Sequence, residues 1–475
     1  MTPIEVFPDD VLLVIFDFCV AGTGITKREI EGWQSLVHVC RRWRSVVFGS
    51  PRRLNLRLVC TPETPAESLD VWPALRLQIQ GTISSYYITN PSSSLDNIIV
   101  ALGHSDRVCR IELEVDRRSE PQWDRVLATM QVPFPELVDL QLSIPSIYSD
   151  TLSVINLIPD TFLGGSAARL QCLKLSRISF PGIPKLLLSA THLVELSLHL
   201  IPYSGYISPA VMATCISVLT SLVTLDIGFL SPQLRPDRES RSSPPMTRSI
   251  LPDLTSFYFN GVSEYLDDLV AWIDAPRLDY LITTFSHQIN FDTPHLVQFI
   301  HRTPRLEEPD IVDVRFDYEA AEVRLLSCAS DDYRKLVLRV EISCKESDQQ
   351  FSSMAQVCTM CLPPLSAVEI LRVIPKDPFS YFDWEDDIAN NQWLELLRPF
   401  TAVSSLYLSK EFQPSIARAL RELVVGGRTT EVLPSLQNIF LERFEPSGPN
   451  QEAIGQFAAA RQISSHPIDY LPFYD

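Results

Sequence analysis

A short motif of the form LxxLxL recurs along most of this 475-residue chain. Its copies begin at Val108, Leu137, Leu170, Leu193, Leu222, Leu254, Tyr333, Val368, Val403 and Leu436, with degraded copies at Leu278 and Leu306. The alternating aliphatic residues within each copy predict a short strand with one buried face. Successive copies begin about 23 to 35 residues apart, which is close to or slightly longer than the period of leucine-rich repeats.

The segments between these strands carry helix signals. Ser208-Pro209 predicts a helix that runs to about Thr220, and Thr293-Pro294 repeats the same start signal. Gln413-Pro414 opens another predicted helix, which Gly426-Gly427 ends. Because one strand and one helix cannot bury their own apolar faces, neighbouring units are expected to stack into one continuous core.

The sequence therefore predicts an α/β fold, an irregular leucine-rich-repeat-like solenoid with a parallel sheet over residues 53–475. Alternating aliphatic trios beginning at Leu54 and Leu75 add two earlier strands, and residues 445–475 form a cap with a helix and a final strand. Two variable loops are expected, at 231–248 and 377–391. A compact α/β domain with parallel strands remains the alternative, since its strands also appear as short apolar runs.

Residues 1–52 have a different pattern, typical of a small helical domain. Pro8 suits the first turn of a helix, and Asp9 and Asp10 place negative charge at its N-terminus. Two apolar stripes at helical spacing follow, made of Val11, Leu12, Ile15, Phe16 and Cys19, then of Leu36, Val37, Cys40, Trp43 and Val47. So short a segment buries little surface by itself and leaves apolar side chains for a partner.

This segment resembles the F-box. The resemblance is carried by Phe7-Pro8-x-Asp10-Val11-Leu12-x-x-Ile15-Phe16 and by Val39-Cys40-Arg41-Arg42-Trp43-Arg44. It covers about a tenth of the chain and departs from the family in two places: Phe7 stands at the usual leucine, and the linker 21–32 is longer than in the shortest members. That longer linker is similar to the one in large fungal F-box families.

The resemblance implies that the helices dock a Skp-family adaptor, and through it a cullin, in an SCF-type ubiquitin ligase whose repeat array holds an unknown protein substrate. The residues it implies for adaptor binding are Phe7, Pro8, Val11, Leu12, Ile15, Phe16, Val37, Cys40, Trp43 and Val47. Such a receptor acts by proximity and needs no bond chemistry of its own. Three alternatives stay open: a helical hairpin that only caps the array, an F-box scaffold that degrades nothing, and a hydrolase built on a compact α/β domain.

Composition limits the partners. The formal net charge of −18 disfavours nucleic acid and acidic membrane surfaces as the main partner. Ten scattered cysteines in apolar patterns and an acidic N-terminus without signal-peptide features indicate the cytosol or the nucleus. The uncharged stretch 196–225 is long enough to cross a bilayer, but Pro202 and Pro209 interrupt it, which favours a buried repeat unit.

Catalytic and metal-binding patterns are weak. His38 and Cys40 lie on different sides of a helix, and the Cys358/Cys361 pair with Cys344 lacks a fourth zinc ligand. The acidic run 383–387 lacks the spacing of a calcium loop, and no glycine-rich phosphate loop is present. The sequence therefore predicts a non-catalytic adaptor without cofactor or metal.

Overall fold

The computed structural model describes residues 7–20, 31–65, 67–71, 75–83, 91–115, 120–145, 158–230, 247–286, 291–306, 309–328, 334–362, 365–377, 389–442 and 448–473. It divides into two compact units, Met1–Tyr206 and Ile207–Asp475.

The first unit begins with helices and continues as a parallel sheet. Its strands are β1 (Arg57–Cys60), β2 (Arg76–Ile83), β3 (Val108–Val115), β4 (Asp139–Ser143), β5 (Cys172–Ser176) and β6 (Glu195–Ile201), which lie side by side in chain order. The described helices are α1 (Asp9–Val20), α2 (Gln34–Val37), α3 (Arg41–Gly49), α4 (Ser68–Val71), α5 (Pro91–Gly103), α6 (Glu120–Thr129) and α7 (Ile183–Ser189), with 3₁₀ turns at Phe162–Gly165 and Tyr203–Gly205.

The second unit has the same alternation of strands and helices. Its large sheet contains β7 (Thr224–Phe229), β9 (Ser256–Gly261), β11 (Tyr280–Ser286), β12 (Ile311–Phe316), β13 (Ala320–Cys328), β14 (Arg334–Ser343), β15 (Ile370–Pro375), β16 (Ser405–Leu408), β17 (Asn438–Glu442) and β18 (Asp469–Phe473), while β8 (Ser249–Ile250) and β10 (Ile273–Asp274) form a separate parallel pair. The described helices are α8 (Pro209–Ile216), α9 (Ser263–Val270), α10 (Pro294–His301), α11 (Ser347–Gln356), α12 (Asn390–Leu397), α13 (Gln413–Val425) and α14 (Pro449–Ile463), with shorter turns at Pro304–Leu306, Val357–Cys361 and Leu365–Ala367.

The LxxLxL motif marks the strands as predicted. In the copy at Leu137, for example, Leu140 and Leu142 lie on β4 and all three leucines are buried. A doubly wound α/β sheet reverses its strand order at a switch point, whereas the first unit shows no reversal from β1 to β6. The strand order within this unit is therefore that of a repeat array, as the motif predicts.

The sheet of the second unit is mainly parallel, as predicted, but it contains one antiparallel strand that the sequence did not indicate. There β14 follows β11, and β13 runs antiparallel to both β14 and β12 before β15 resumes the parallel order. Residues 317–319 connect β12 to β13 as a tight hairpin, in which Asp317 Oδ1 accepts from the backbone N–H groups of Glu319 and Ala320 at 2.7 and 2.6 Å. The repeat period predicts one strand in each repeat, so it does not predict this extra strand.

Helix boundaries agree with their start signals better than with their predicted ends. Ser208 caps α8 through a 3.4 Å bond from the N–H of Val211, but this helix ends at Ile216 and not near Thr220. Helix α13 begins at Gln413 and ends before Gly427, whose φ of +66° is the left-handed conformation that glycine adopts readily.

The predicted cap and loops have mixed outcomes. Helix α14 and strand β18 form the expected helix and strand of the C-terminal cap, with residues 443–447 and 474–475 outside the described part. Loop residues 231–246 and 378–388 also lie outside it, and α12 begins at Asn390, inside the predicted second loop. The uncharged stretch 196–225 is divided among β6, a 3₁₀ turn, α8 and β7. None of the described helices combines the length and apolar character needed to cross a bilayer.

Helix α10 has a cap that the sequence did not reveal. Thr293 stands at its N-terminus without a side-chain cap bond, and the N–H of Leu296 donates instead to Oδ1 of Asp267 at 2.8 Å. Asp267 belongs to α9 and is only 2% exposed. Burial raises the pKa of this carboxyl above its ordinary value, against the opposing effect of the hydrogen bond from Leu296.

This raised pKa gives a pH-dependent prediction for Asp267→Asn. The folded protein holds a proton on Asp267 to higher pH than the unfolded chain, so the carboxyl's contribution to stability falls as pH rises through the interval between the two pKa values. Asparagine does not titrate and still offers an oxygen to Leu296. We expect the free energy of unfolding of the variant, relative to wild type, to increase from about pH 4 to pH 7 in denaturant titrations.

The control for this pH series is Asp253→Asn, which removes a surface carboxylate that pairs with Arg277 at 3.1 Å. If the free energy of unfolding of Asp267→Asn differs from that of wild type by the same amount at every pH, the raised pKa of Asp267 is contradicted.

Candidate partner-binding surface at the N-terminus

Helix α1 has two apolar faces. One packs inward: Leu12 and Phe16 are 0% exposed and lie in a core cluster with Trp33, Val37 and Val47. The same cluster includes the leucines at positions 54, 56 and 75, which come from the start of the repeat array. The helices therefore share a core with the array.

The second apolar face of α1 points away from that core. Val11, Val14 and Phe18 are 37%, 49% and 81% exposed, and Phe7, just before the helix, is 38% exposed. The spacing of Val11, Val14 and Phe18 by three and four residues places these three along one side of α1. Together these four residues form a surface that we call the α1 outer stripe. A helix that is apolar on both sides is expected to contact something on both sides.

The second predicted stripe does not lie on one continuous helix. Helix α2 ends at Val37, and Cys40 is extended, with φ −157° and ψ 170°, before α3 begins at Arg41. The Sγ atom of Cys40 accepts a 3.4 Å bond from the N–H of Trp43, so this cysteine acts as the N-cap of α3. The prediction of a single helical stripe is wrong here, because the capping bond requires the backbone to leave the helical conformation at Cys40.

Helices α1 and α3 are joined by an aromatic contact and by an arginine. The rings of Phe16 and Trp43 have centroids 4.7 Å apart. Arg42 donates from Nη2 to the backbone oxygen of Phe7 at 2.5 Å and to Asp9 Oδ1 at 2.7 Å. These contacts fix Phe7 and the start of α1 against α3, which holds the α1 outer stripe on a supported helix.

Two residues just before α2, Glu31 and Trp33, cover the edge of the sheet. Among the described strands β1 pairs only with β2, and on its other side Trp33 Nε1 donates to the backbone oxygen of Arg57 at 2.9 Å. The N–H of Val59 donates to Oε1 of Glu31, also at 2.9 Å. Two side chains thus take the place of a neighbouring strand. This is the role expected of a capping hairpin, and the α1 outer stripe remains exposed beside it.

The residues predicted to bind the adaptor divide into three groups. Exposed are Phe7, Pro8 and Val11; partly buried are Ile15, Cys40 and Trp43; buried are Leu12, Phe16, Val37 and Val47. The buried four support the surface from beneath. Val14 and Phe18 extend the exposed group and were not among the predicted residues, although their spacing from Val11 is legible in the sequence.

The weak catalytic and metal-binding candidates of the sequence lie as follows. His38 is exposed and Cys40 is engaged in the helix cap. Cys358 is buried, Cys344 donates to Oε1 of Gln349 at 3.4 Å, and no group of three metal-binding side chains occurs in the part of the chain that the structure describes. Burial raises the pKa of the Cys215 thiol to about 11, which disfavours the nucleophilic thiolate at neutral pH. The acidic run 383–387 lies outside the described residues.

No protein-family model and no curated protein sequence matches the chain. Among solved structures, it is similar to the leucine-rich repeat-containing protein LegL7 from Legionella pneumophila, with 11% sequence identity and coverage of 85% of this chain and 98% of that chain. The TM-score is 0.28, too low for the likeness to carry an argument.

Proposed function

We propose that this protein is the substrate-recognition subunit of an SCF-type ubiquitin ligase. The N-terminal helices dock a Skp-family adaptor, which recruits a cullin, and the repeat array holds the protein to be ubiquitylated. No bond chemistry is assigned to the chain itself, since a receptor of this kind acts by bringing two other proteins together. We propose that it acts in the cytosol or the nucleus.

The observation that carries the proposal is the α1 outer stripe. Val11, Val14 and Phe18 stand exposed along one side of a 12-residue helix and Phe7 is exposed just before it, while Leu12 and Phe16 on the other side are buried. A contiguous exposed apolar patch of this kind marks an interaction site on a folded protein. A helix with apolar residues at positions i, i+3 and i+7 is a common form of helix-in-groove recognition, in which a partner's groove buries that side. The motif resemblance supplies the identity of the partner.

The test is a pair of charge substitutions on this surface, Val14→Asp and Phe18→Asp. Docking would carry each new carboxylate into an apolar interface without a cation to pair with, which is strongly unfavourable. We expect each variant to lose at least about ten-fold in affinity for the adaptor, a change of about 1.4 kcal/mol or more. Both side chains point to solvent, so the melting temperature should stay within about 2 °C of wild type. Co-purification of the full chain with the adaptor and the cullin measures the loss of adaptor binding, and thermal unfolding measures the melting temperature.

The matched control is Leu188→Asp, on α7 of the same unit, where Leu188 is 50% exposed, similar to Val14. It should leave adaptor recovery unchanged. Undiminished recovery with Phe18→Asp would refute docking through the α1 outer stripe. Recovery of the adaptor without a cullin or ubiquitylating activity would identify a non-degradative scaffold and refute the ligase assignment alone.

A further inference from the structure

Charged side chains are concentrated on one face of the second unit, where the sheet changes direction. Val314, Val323 and Val340 point to the buried side of β12, β13 and β14. The residues immediately before and after each valine point to the opposite side of the sheet, because side chains alternate along a strand. We call this set the arginine face; it consists of Asp313, Arg315, Glu322, Arg324, Arg339, Glu341 and Arg372.

Two carboxylates lie at the bottom of the arginine face. Asp313 is 0% exposed and receives two bonds from Arg372, at 2.5 and 2.6 Å. Glu322 is also 0% exposed and pairs with Nε of Arg324 at 2.7 Å and with Nε of Arg339 at 2.6 Å. The two bonds to Asp313 fix the guanidinium group of Arg372, and the ion pairs with Glu322 keep those of Arg324 and Arg339 beside this carboxylate.

The groups that reach solvent on this face are mainly cationic. The side chains of Arg315, Arg324, Arg339 and Arg372 are 16% to 26% exposed, against 0% for the two central carboxylates. Arg324 contacts Glu322 through Nε at 2.7 Å, and each guanidinium group carries five N–H donors. The face carries four arginines against the three carboxylates of Asp313, Glu322 and Glu341. Of these carboxylates only Glu341, which pairs with Arg339, reaches solvent, at 13% exposed. The surface therefore has a local positive charge on a chain whose net charge is −18.

On the strands that flank the arginine face, the corresponding positions hold apolar residues. Strand pairing places Ile282, Arg339, Arg324, Asp313, Arg372 and Tyr407 opposite one another in a single row across six strands. The row extends beyond Ile282 to Tyr258, which is 37% exposed, and beyond Tyr407 to Phe440, whose ring stacks on that of Tyr407 with centroids 4.4 Å apart. At about 4.8 Å between strands, the distance from Ile282 to Tyr407 is about 24 Å, the length of about seven extended residues.

We propose that the arginine face binds an extended acidic segment of the target protein, with carboxylates at its centre and apolar side chains at both ends. The proposal rests on the proposed function, which makes the second unit part of the target-holding array. Guanidinium groups, with five N–H donors each, match carboxylate oxygens in geometry and charge. Ile282 and Tyr258 on one side, and Tyr407 and Phe440 on the other, receive the apolar ends.

The test measures binding of a fluorescein-labelled seven-residue peptide, with two central glutamates between leucines, to the full-length protein by fluorescence anisotropy. We expect it to bind at least about ten-fold more tightly than its glutamine counterpart, and to weaken when the salt concentration rises from about 0.1 to 0.5 M. Arg324→Gln should reduce its affinity at least about five-fold. Arg398→Gln, which removes an exposed arginine paired with Glu431 at 2.9 Å, is the control and should have no effect.

A second variant tests the same face without removing any ion pair. Ile282→Glu places a negative charge beside Arg339 in the row and should weaken binding of the glutamate peptide while sparing the fold. Equal binding of the glutamate and glutamine peptides would overturn the proposal, as would binding of a phosphoserine peptide with none of the glutamate peptide. Phe18→Asp should bind the peptide as wild type does, and Arg324→Gln should still recover the adaptor, which separates this proposal from the adaptor test.

Discussion

Phe16→Ala is expected to lower the free energy of unfolding of the first unit by about 3 to 5 kcal/mol, whereas Phe18→Ala should change it by less than about 0.5 kcal/mol. The two phenylalanines lie two residues apart on the same helix. Phe16 is 0% exposed and its ring contacts that of Trp43, while Phe18 is 81% exposed. Removing the first leaves a cavity beneath α1, and removing the second leaves none.

Denaturant titration of both variants measures these changes, and adaptor co-purification separates the two faces of α1. Phe16→Ala should weaken adaptor binding only where it also destabilises the helix, so binding should recover at low temperature, where more of the helix is folded. Phe18→Ala should weaken adaptor binding at all temperatures. Equal losses of stability for the two variants would contradict the assignment of one inward and one outward face.

Arg461→Leu is expected to destabilise the C-terminal cap by about 3 kcal/mol or more. Arg461 is 0% exposed on α14, and its guanidinium donates to the backbone oxygens of Thr429, Leu433 and Pro434 at 3.1, 3.2 and 2.9 Å. No carboxylate of the described residues pairs with it. Its loss would leave several buried carbonyl groups without donors, each costing about 1 to 3 kcal/mol. Denaturant titration measures the total loss in the free energy of unfolding, and hydrogen exchange of α14 and β18 shows whether these two elements are the ones destabilised.

The control for Arg461 is Arg398→Gln, since Arg398 forms an ion pair with Glu431 at the surface. Such pairs contribute about 0 to 1 kcal/mol. A change as small for Arg461→Leu as for Arg398→Gln would show that water or another donor satisfies the carbonyl groups of residues 429–436.

The repeated strands could be predicted because the leucine spacing is a local signal that recurs in every repeat. The hairpin strand β13 was missed for the same reason, since its alternation of Glu322, Val323, Arg324 and Leu325 falls between two motif copies. The charged residues of β12 and β14 show the same alternation. Alternation searched without an assumed period would have indicated a hairpin there.

The candidate docking residues could be located from sequence as a segment, but not divided into buried and exposed. Val11 and Leu12 are both apolar and adjacent, and only packing against Trp33 and Val47 decides that Leu12 turns inward. The caps at Cys40 and Leu296 were equally hidden. One uses a cysteine, which is not a usual cap, and the other uses Asp267, 29 residues away along the chain.

Glu31 and Trp33 occupy the outward backbone groups of β1, at the point where the sheet of the first unit begins. A protein shortened to begin at Pro51 would lose both side chains and expose unpaired N–H and C=O groups of an apolar strand. Such an edge is a template for aggregation with other copies. Glu31 and Trp33 thus shield this edge of the sheet, and point substitutions on α1 are safer probes of partner binding than deletion.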